Sequence, residues 1–209
     1  MLRSTSPNIS VITNFGCRAD CWYCIWKGHA LQYVNKPTNW FKLENFLIDY
    51  QYKGKVSVSG GGDCLYKFDE HKDWWCNFFD ITNNLKMLVD VHTREKFIGP
   101  YFWLDYVHKC VFSCDCLAED KIFLEYLSLL TKVRITHLVT ANTTFKMIEE
   151  FLAFQERICC QFTIKELVGF DDAGMYKKIR EKYPDIYHLD EGDYNIYYMP
   201  DNSIRTSFL

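Results

Sequence analysis

The feature that most restricts the fold of this sequence is a regular alternation of strand-like and helix-like segments. Runs rich in β-branched residues predict six strands, at residues 8–15, 55–60, 86–93, 106–115, 133–142 and 158–167. Apolar residues at helical spacing predict helices at 40–50, 69–84, 118–132 and 143–155, the last opened by a threonine cap, and a short helix at 173–183. Strands that are each followed by a helical connection indicate parallel β/α units. These could form a doubly wound sheet or an open barrel, because six units are too few to close an eight-stranded barrel.

The rest of the chain adds a hairpin and no second domain. Residues 194–209 predict a closing hairpin with "PDNS" as its turn. The chain has 209 residues and no visible repeat or linker, so we expect one domain over residues 1–209. A net charge of −3 creates no general attraction to nucleic acid or to an anionic membrane. We expect a cytoplasmic protein, because the first residues lack the apolar core of a signal peptide and no apolar run approaches membrane-spanning length.

Three of the ten cysteines lie close together in the stretch "CRADCWYC", at Cys17, Cys21 and Cys24, in the loop after the first strand. In a reducing compartment such thiols are better candidates for metal ligands than for disulfides. Three thiolates in an iron–sulfur cluster would leave one iron open to a small molecule, since an ordinary four-iron cluster takes four cysteines. With His29 they could instead form a zinc site. We interpret the other seven as packing residues: Cys64, Cys76, Cys110, Cys114, Cys116, Cys159 and Cys160.

A second stretch, "VSVSGGGDCLY", places Gly60, Gly61, Gly62 and Asp63 at the end of the second predicted strand. Glycines suit a point at which the backbone must approach a ligand closely. Together, the two stretches resemble the radical S-adenosylmethionine (radical SAM) superfamily, which has a C-x-x-x-C-x-aromatic-C signature followed by Gly-Gly-Glu one β/α unit later. The acid here is Asp63, which is one methylene shorter than the family's glutamate.

The resemblance implies an α/β fold, a partial (β/α)6 TIM-like open barrel with the C-terminal hairpin added. It implies a 4Fe-4S cluster on Cys17, Cys21 and Cys24, shielded by Tyr23, and S-adenosylmethionine bound at the open iron. It also implies that residues 60–63 contact the methionine end of the cofactor. Less specifically, it implies that Ser113, Thr140 and Asn142, at the ends of strands four and five, contact the adenosyl end. His92 and Arg94 end the third strand and could face cofactor or substrate, and Lys165 could face the lumen or the solvent.

For such a chain the resemblance implies an enzyme that cleaves S-adenosylmethionine reductively to a 5′-deoxyadenosyl radical, which abstracts a substrate hydrogen. It also implies an electron donor such as flavodoxin or ferredoxin. We expect a small-molecule or nucleotide substrate. The alternatives are an activase that installs a glycyl radical on a partner enzyme, a zinc-binding structural protein, or a family member without radical chemistry. A peptide-modifying enzyme is disfavoured because a long cysteine-rich C-terminal extension is missing from this sequence.

Overall fold

The computed structural model describes residues 8–22, 24, 36–97, 102–166, 171–189 and 195–206. The chain divides into two compact units, Met1–His108 together with Asp193–Leu209, and Lys109–Gly192. The single domain over residues 1–209 stays a prediction. Within the described ranges, no helix has both the length and the apolar composition that a membrane crossing needs.

In the first unit, the strands lie in the order β3-β2-β1-β8-β9. β1, β2, β3 and β8 are parallel, and β9 closes an antiparallel hairpin with β8, as predicted for the tail. The pairing of β8 with β1 brings residues almost 190 positions apart into register, Asn8 opposite Asn195. The elements are β1 (Asn8–Thr13), α1 (Trp40–Tyr50), β2 (Lys55–Gly60), α2 (Lys72–Asn84), β3 (Leu88–Thr93), β8 (Asn195–Tyr198) and β9 (Ile204–Arg205).

In the second unit, four parallel strands lie in the order β7-β6-β5-β4. The short strand β7 was not predicted. The elements are β4 (Lys109–Ser113), α3 (Leu117–Leu130), β5 (Val133–Val139), α4 (Phe145–Ile158), β6 (Gln161–Glu166), α5 (Met175–Lys182) and β7 (Tyr187–Leu189). The predicted α/β class with parallel β/α units is therefore confirmed within each unit.

Helices pack on the strands through aromatic and aliphatic side chains in both units. In the first, Trp75, Phe78 and Phe79 of α2 are almost completely buried, together with Val56 and Val58 of β2. In the second, the ring of Phe151 on α4 stacks on Phe162 of β6 at 4.9 Å, and Phe112 of β4 contacts Phe123 of α3. Burial of such side chains is the main favourable contribution to folding.

The element ends differ from the sequence-based prediction where local hydrogen bonds end a strand or begin a helix. β5 ends at Val139 and not at Asn142, because residues 140–143 form a turn in which the Thr143 amide donates to the Thr140 carbonyl at 3.0 Å. The threonine cap of α4 is Thr144, whose hydroxyl accepts from the Met147 amide. The third strand is followed by a 3-10 helix, Phe102–Tyr106, in place of the start of a longer β4.

Candidate metal and cofactor site

The glycine-rich loop and the start of the cysteine loop are in direct backbone contact. The Gly61 amide donates to the Thr13 carbonyl at 2.7 Å, and the Asp63 amide donates to the Gly16 carbonyl at 2.8 Å. Gly62 has a φ of +140°, and a Cβ at this position would lie 2.3 Å from the Gly16 carbonyl oxygen. A side chain at position 62 would therefore push the two loops apart, which is a physical reason for glycine there.

Asp63 connects the glycine-rich loop to the end of β3. Its carboxylate is buried and accepts four hydrogen bonds. One oxygen accepts from the Leu65 amide at 2.9 Å and from the Thr93 hydroxyl at 2.7 Å. The other accepts from two consecutive backbone amides, those of Arg94 at 2.5 Å and Glu95 at 3.1 Å. An ionised carboxylate offers about four acceptor positions, so that of Asp63 has its full set of partners within the protein.

The two residues held by Asp63 reach back to the cysteine loop. The Arg94 guanidinium donates to the Cys21 sulfur at 3.2 Å. The Glu95 carboxylate pairs with Arg18, the residue after Cys17, at 3.1 Å. Partial burial raises the pKa of Glu95, while Arg18 acts in the opposite direction and the charge of Asp63 adds to the rise. Charged side chains that follow β3 therefore contact both ends of the stretch between Cys17 and Cys21.

The three cysteines lie where a bound group could reach them. Cys17 is exposed, Cys21 and Cys24 are half-buried, and each has a free thiol. The Cys24 amide donates to the Cys21 carbonyl at 3.2 Å, so a turn joins the second and third thiols. The pKa of Cys17 is raised, first by desolvation and then by the negative charges of Asp63, Cys21 and Cys24. Displacement of the thiol proton therefore accompanies any binding of a metal at Cys17.

These residues fit an iron–sulfur cluster by the chemistry of their donor set. Three free thiols in one short loop are suitable ligands. In the described part of the chain, no three His, Cys, Asp or Glu side chains already stand close enough together to hold a metal ion. By the chemistry of their donors, Cys17, Cys21 and Cys24 are the candidate ligands. Tyr23 and His29 lie outside the described residues.

The predicted adenosyl contacts all lie in the second unit. Ser113 is the last residue of β4, while Thr140 and Asn142 lie in the turn after β5. The Thr140 hydroxyl accepts from the Asn142 amide at 3.3 Å, so it has the local backbone partner that is common for a threonine beyond a strand.

A buried histidine, His137, which the sequence analysis did not identify, links the loop after β4 to the turn after β5 through hydrogen bonds. His137 Nδ1 lies 2.9 Å from the Cys114 carbonyl, and its Nε2 lies 3.1 Å from the Thr143 hydroxyl. A carbonyl only accepts, so Nδ1 carries the proton and Nε2 accepts from Thr143. The Thr143 oxygen in turn accepts from the Thr140 amide at 3.0 Å. Burial lowers the pKa of His137, which keeps the ring in the neutral form that this chain of hydrogen bonds requires.

In the second unit, the face of strands β4, β5 and β6 that is turned away from α4 carries a row of hydroxyls. Ser113, Thr136 and Thr163 lie side by side in register on β4, β5 and β6. Thr136 and Thr163 are buried, and within the described residues their hydroxyls find no hydrogen-bond partner. Lys165 alternates with Phe162 and Ile164 along β6, so it shares this polar face with Thr163.

The interpretation of the remaining seven cysteines as packing residues is right for some and wrong for others. Cys64, Cys110 and Cys114 are buried, and Cys76 and Cys160 are partly buried. Burial raises the pKa of Cys160 to about 11, so this thiol is protonated at neutral pH. Cys116 and Cys159 are exposed, because they cap the start of α3 and the end of α4 at the surface.

Comparison with known proteins shows which solved structures have a fold similar to that of this chain. No protein-family model and no curated protein sequence matches the chain. Crystal structures of SuiB from Streptococcus suis do match it. SuiB bound to S-adenosylmethionine has a TM-score of 0.69 at 13% identity, over 98% of this chain and 61% of that one. SuiB alone has a TM-score of 0.66 at 14% identity, over 98% of this chain and 61% of that one. SuiB bound to the precursor peptide SuiA has a TM-score of 0.67 at 13% identity, over 97% of this chain and 60% of that one.

The likeness shows the fold. At 13–14% identity, this chain shares the α/β fold of SuiB, which has been crystallised with S-adenosylmethionine, so the α/β fold that the resemblance implied is confirmed. The chain spans about three fifths of the SuiB chain.

Proposed function

We propose that this chain is a radical SAM enzyme in which Cys17, Cys21 and Cys24 hold a 4Fe-4S cluster. In this proposal, the backbone of residues 60–63 holds the methionine end of S-adenosylmethionine. The observation that carries it is the backbone contact between the two loops, in which Gly62 lies against Gly16 with no room for a Cβ. A small molecule held by residues 60–63 would then lie beside the thiols that follow Gly16.

The residues of the chain have separate tasks in this proposal. A cluster held by Cys17, Cys21 and Cys24 would supply the electron for reductive cleavage of S-adenosylmethionine to methionine and a 5′-deoxyadenosyl radical, which would abstract a hydrogen from the substrate. The electron comes from a donor protein such as flavodoxin or ferredoxin. The glycine amides and carbonyls approach the amino acid part of the cofactor. Ser113, Thr140 and Asn142 contact its adenosyl part, on loops held by His137.

The test is an anaerobic assay for 5′-deoxyadenosine. The protein is reconstituted with iron and sulfide and given S-adenosylmethionine and dithionite. We expect about four irons per chain and formation of 5′-deoxyadenosine. Cys21→Ala should lose both. The matched control is Cys116→Ala, an exposed cysteine outside the loop, which should keep both. Zinc in place of iron, or product formation by Cys21→Ala, would refute the proposal.

Two substrate classes follow from different observations. The sequence favours a small molecule or nucleotide, for which Ser113, half-buried at the end of β4, offers a hydroxyl group. A peptide is the second candidate, because SuiB has been crystallised with its precursor peptide SuiA and shares the fold of this chain.

Deuterium transfer separates these candidates. Extract from cells grown in deuterated medium is divided by size and supplied to the reconstituted protein. A small-molecule substrate predicts deuterated 5′-deoxyadenosine from the low-mass fraction, and a peptide predicts it from the peptide fraction. Deuterated 5′-deoxyadenosine formed with the protein fraction, together with a stable glycyl radical signal, would identify an activase.

A further inference from the structure

We infer, on the basis of the proposed function, that Asp63 is a positioning residue for the cysteine loop and that Arg94 sets the reduction potential of the cluster. The family resemblance implies a different role for the acid of the glycine-rich loop, namely a direct contact with the amino group of the cofactor. The geometry around Asp63 points to an internal role.

The first step of the argument is the occupancy of the Asp63 carboxylate. Each of its oxygens already accepts two hydrogen bonds, and three of the four donors are backbone amides. The fourth donor, the Thr93 hydroxyl, also accepts from the Glu95 amide at 2.9 Å. A cofactor amino group could reach this buried carboxylate only by replacing one of these donors. Leaving a buried amide without a partner costs about 1–3 kcal/mol.

The second step is what this carboxylate holds in place. Its bonds to the consecutive amides of Arg94 and Glu95 fix the backbone at the end of β3. From there, the Arg94 side chain donates to the Cys21 sulfur at 3.2 Å, and Glu95 pairs with Arg18. The Arg18 side chain is 75% exposed and that of Glu95 only 15%, so the ion pair is partly screened. The Arg94 contact is the stronger constraint on the loop.

The third step is the effect of a fixed cation beside a cluster ligand. Reduction adds one electron, supplied by the donor protein, and so makes the cluster and its thiolates more negative. A guanidinium that hydrogen-bonds to the Cys21 sulfur stabilises the reduced form more than the oxidised form. Hydrogen bonds to cluster sulfurs and nearby charge are established controls of reduction potential. Arg94 is therefore expected to raise the potential and so to ease electron transfer from the donor.

The experiment is a redox titration of the reconstituted protein, followed by the electron paramagnetic resonance signal of the reduced cluster. Arg94→Gln should move the midpoint potential to a more negative value. At a fixed applied potential, the ratio of reduced to oxidised cluster in this variant should be about tenfold lower than in the wild type, which corresponds to 59 mV for a one-electron couple. Arg94→Lys, which keeps the charge, should recover most of the shift. The matched control is Arg157→Gln, an arginine paired with Glu125 on the surface of the second unit, which should leave the potential unchanged.

Asp63→Asn tests the positioning role. We expect it to shift the potential in the same direction as Arg94→Gln. The double variant should show no further shift, because the two residues act through one contact. An unchanged potential in Arg94→Gln would refute the role of Arg94. Loss of S-adenosylmethionine binding by Asp63→Asn at an unchanged potential would show that the carboxylate is a direct cofactor ligand. If the wild-type protein binds no iron–sulfur cluster at all, the proposed function fails, and this inference fails with it.

Discussion

Gly62→Ala should separate the two loops that build the candidate site. The new Cβ would lie 2.3 Å from the Gly16 carbonyl oxygen and 2.9 Å from its carbon, whereas ordinary contact begins at 3.4 Å. The Gly16 carbonyl would have to retreat by about 1 Å, an overpacking change that costs about 1–3 kcal/mol. A φ of +140° is unfavourable for alanine, which adds about 1–3 kcal/mol. The displacement would also break the 2.8 Å bond from the Asp63 amide to Gly16, worth about 1 kcal/mol.

Gly62→Ala should therefore lower the free energy of unfolding by about 3–7 kcal/mol, a large fraction of the stability of an ordinary domain. Gly54→Ala is the matched control, because Gly54 also has a positive φ, +65°, but nothing lies within 4 Å of its Cβ position. Gly54→Ala should lower the free energy of unfolding by only about 1 kcal/mol.

The measurement is urea unfolding of the apoprotein under anaerobic reducing conditions, followed by tryptophan fluorescence, together with the iron content after reconstitution. Gly62→Ala should unfold at lower urea and bind less iron than Gly54→Ala. Equal midpoints and equal iron content for the two variants would refute the close contact between residues 62 and 16.

The remaining predictions concern buried polar groups of the second unit. Protonation of His137 would stop it from accepting from Thr143, and its folded pKa lies below the ordinary 6.5. The unfolded state therefore takes up the proton first, and the free energy of unfolding should fall as pH drops below about 6.5. His137→Gln should show a smaller slope in urea unfolding across this range, and equal slopes would contradict the interpretation. Thr163→Val removes a buried hydroxyl that has no partner within the described residues, and should raise stability by about 1 kcal/mol. The control is Thr82→Val, which removes a hydroxyl that donates to the Phe78 carbonyl and should not stabilise. A loss of stability in Thr163→Val would show that its hydroxyl has a partner.

Element type was predictable along most of the chain because it depends on local patterns. The apolar spacing in "WFKLENFLIDY" predicted the helix Trp40–Tyr50, and alternation in "KVSVSG" predicted the strand Lys55–Gly60, each with the bounds that the structure has. The ends of β4 and β5 were less predictable. These ends depend on turns such as that between Thr140 and Thr143. The residues of such a turn have as high a strand propensity as the strand before them, so the sequence pattern does not show where the strand ends.

By itself, the sequence determined the alternation of parallel strands and helices, the three cysteines in one loop and the glycines at the end of the next strand. Spacing and residue type are local properties, so each could be predicted without knowing any distant contact. Only the tertiary structure decided which groups the Asp63 carboxylate contacts. Its four donors come from residues 65 and 93–95, and the position of Arg94 against Cys21 joins residues 73 positions apart. A hydrogen bond depends on distance and direction in space, and no spacing along the chain encodes whether a carboxylate faces a ligand or the backbone of the neighbouring strand.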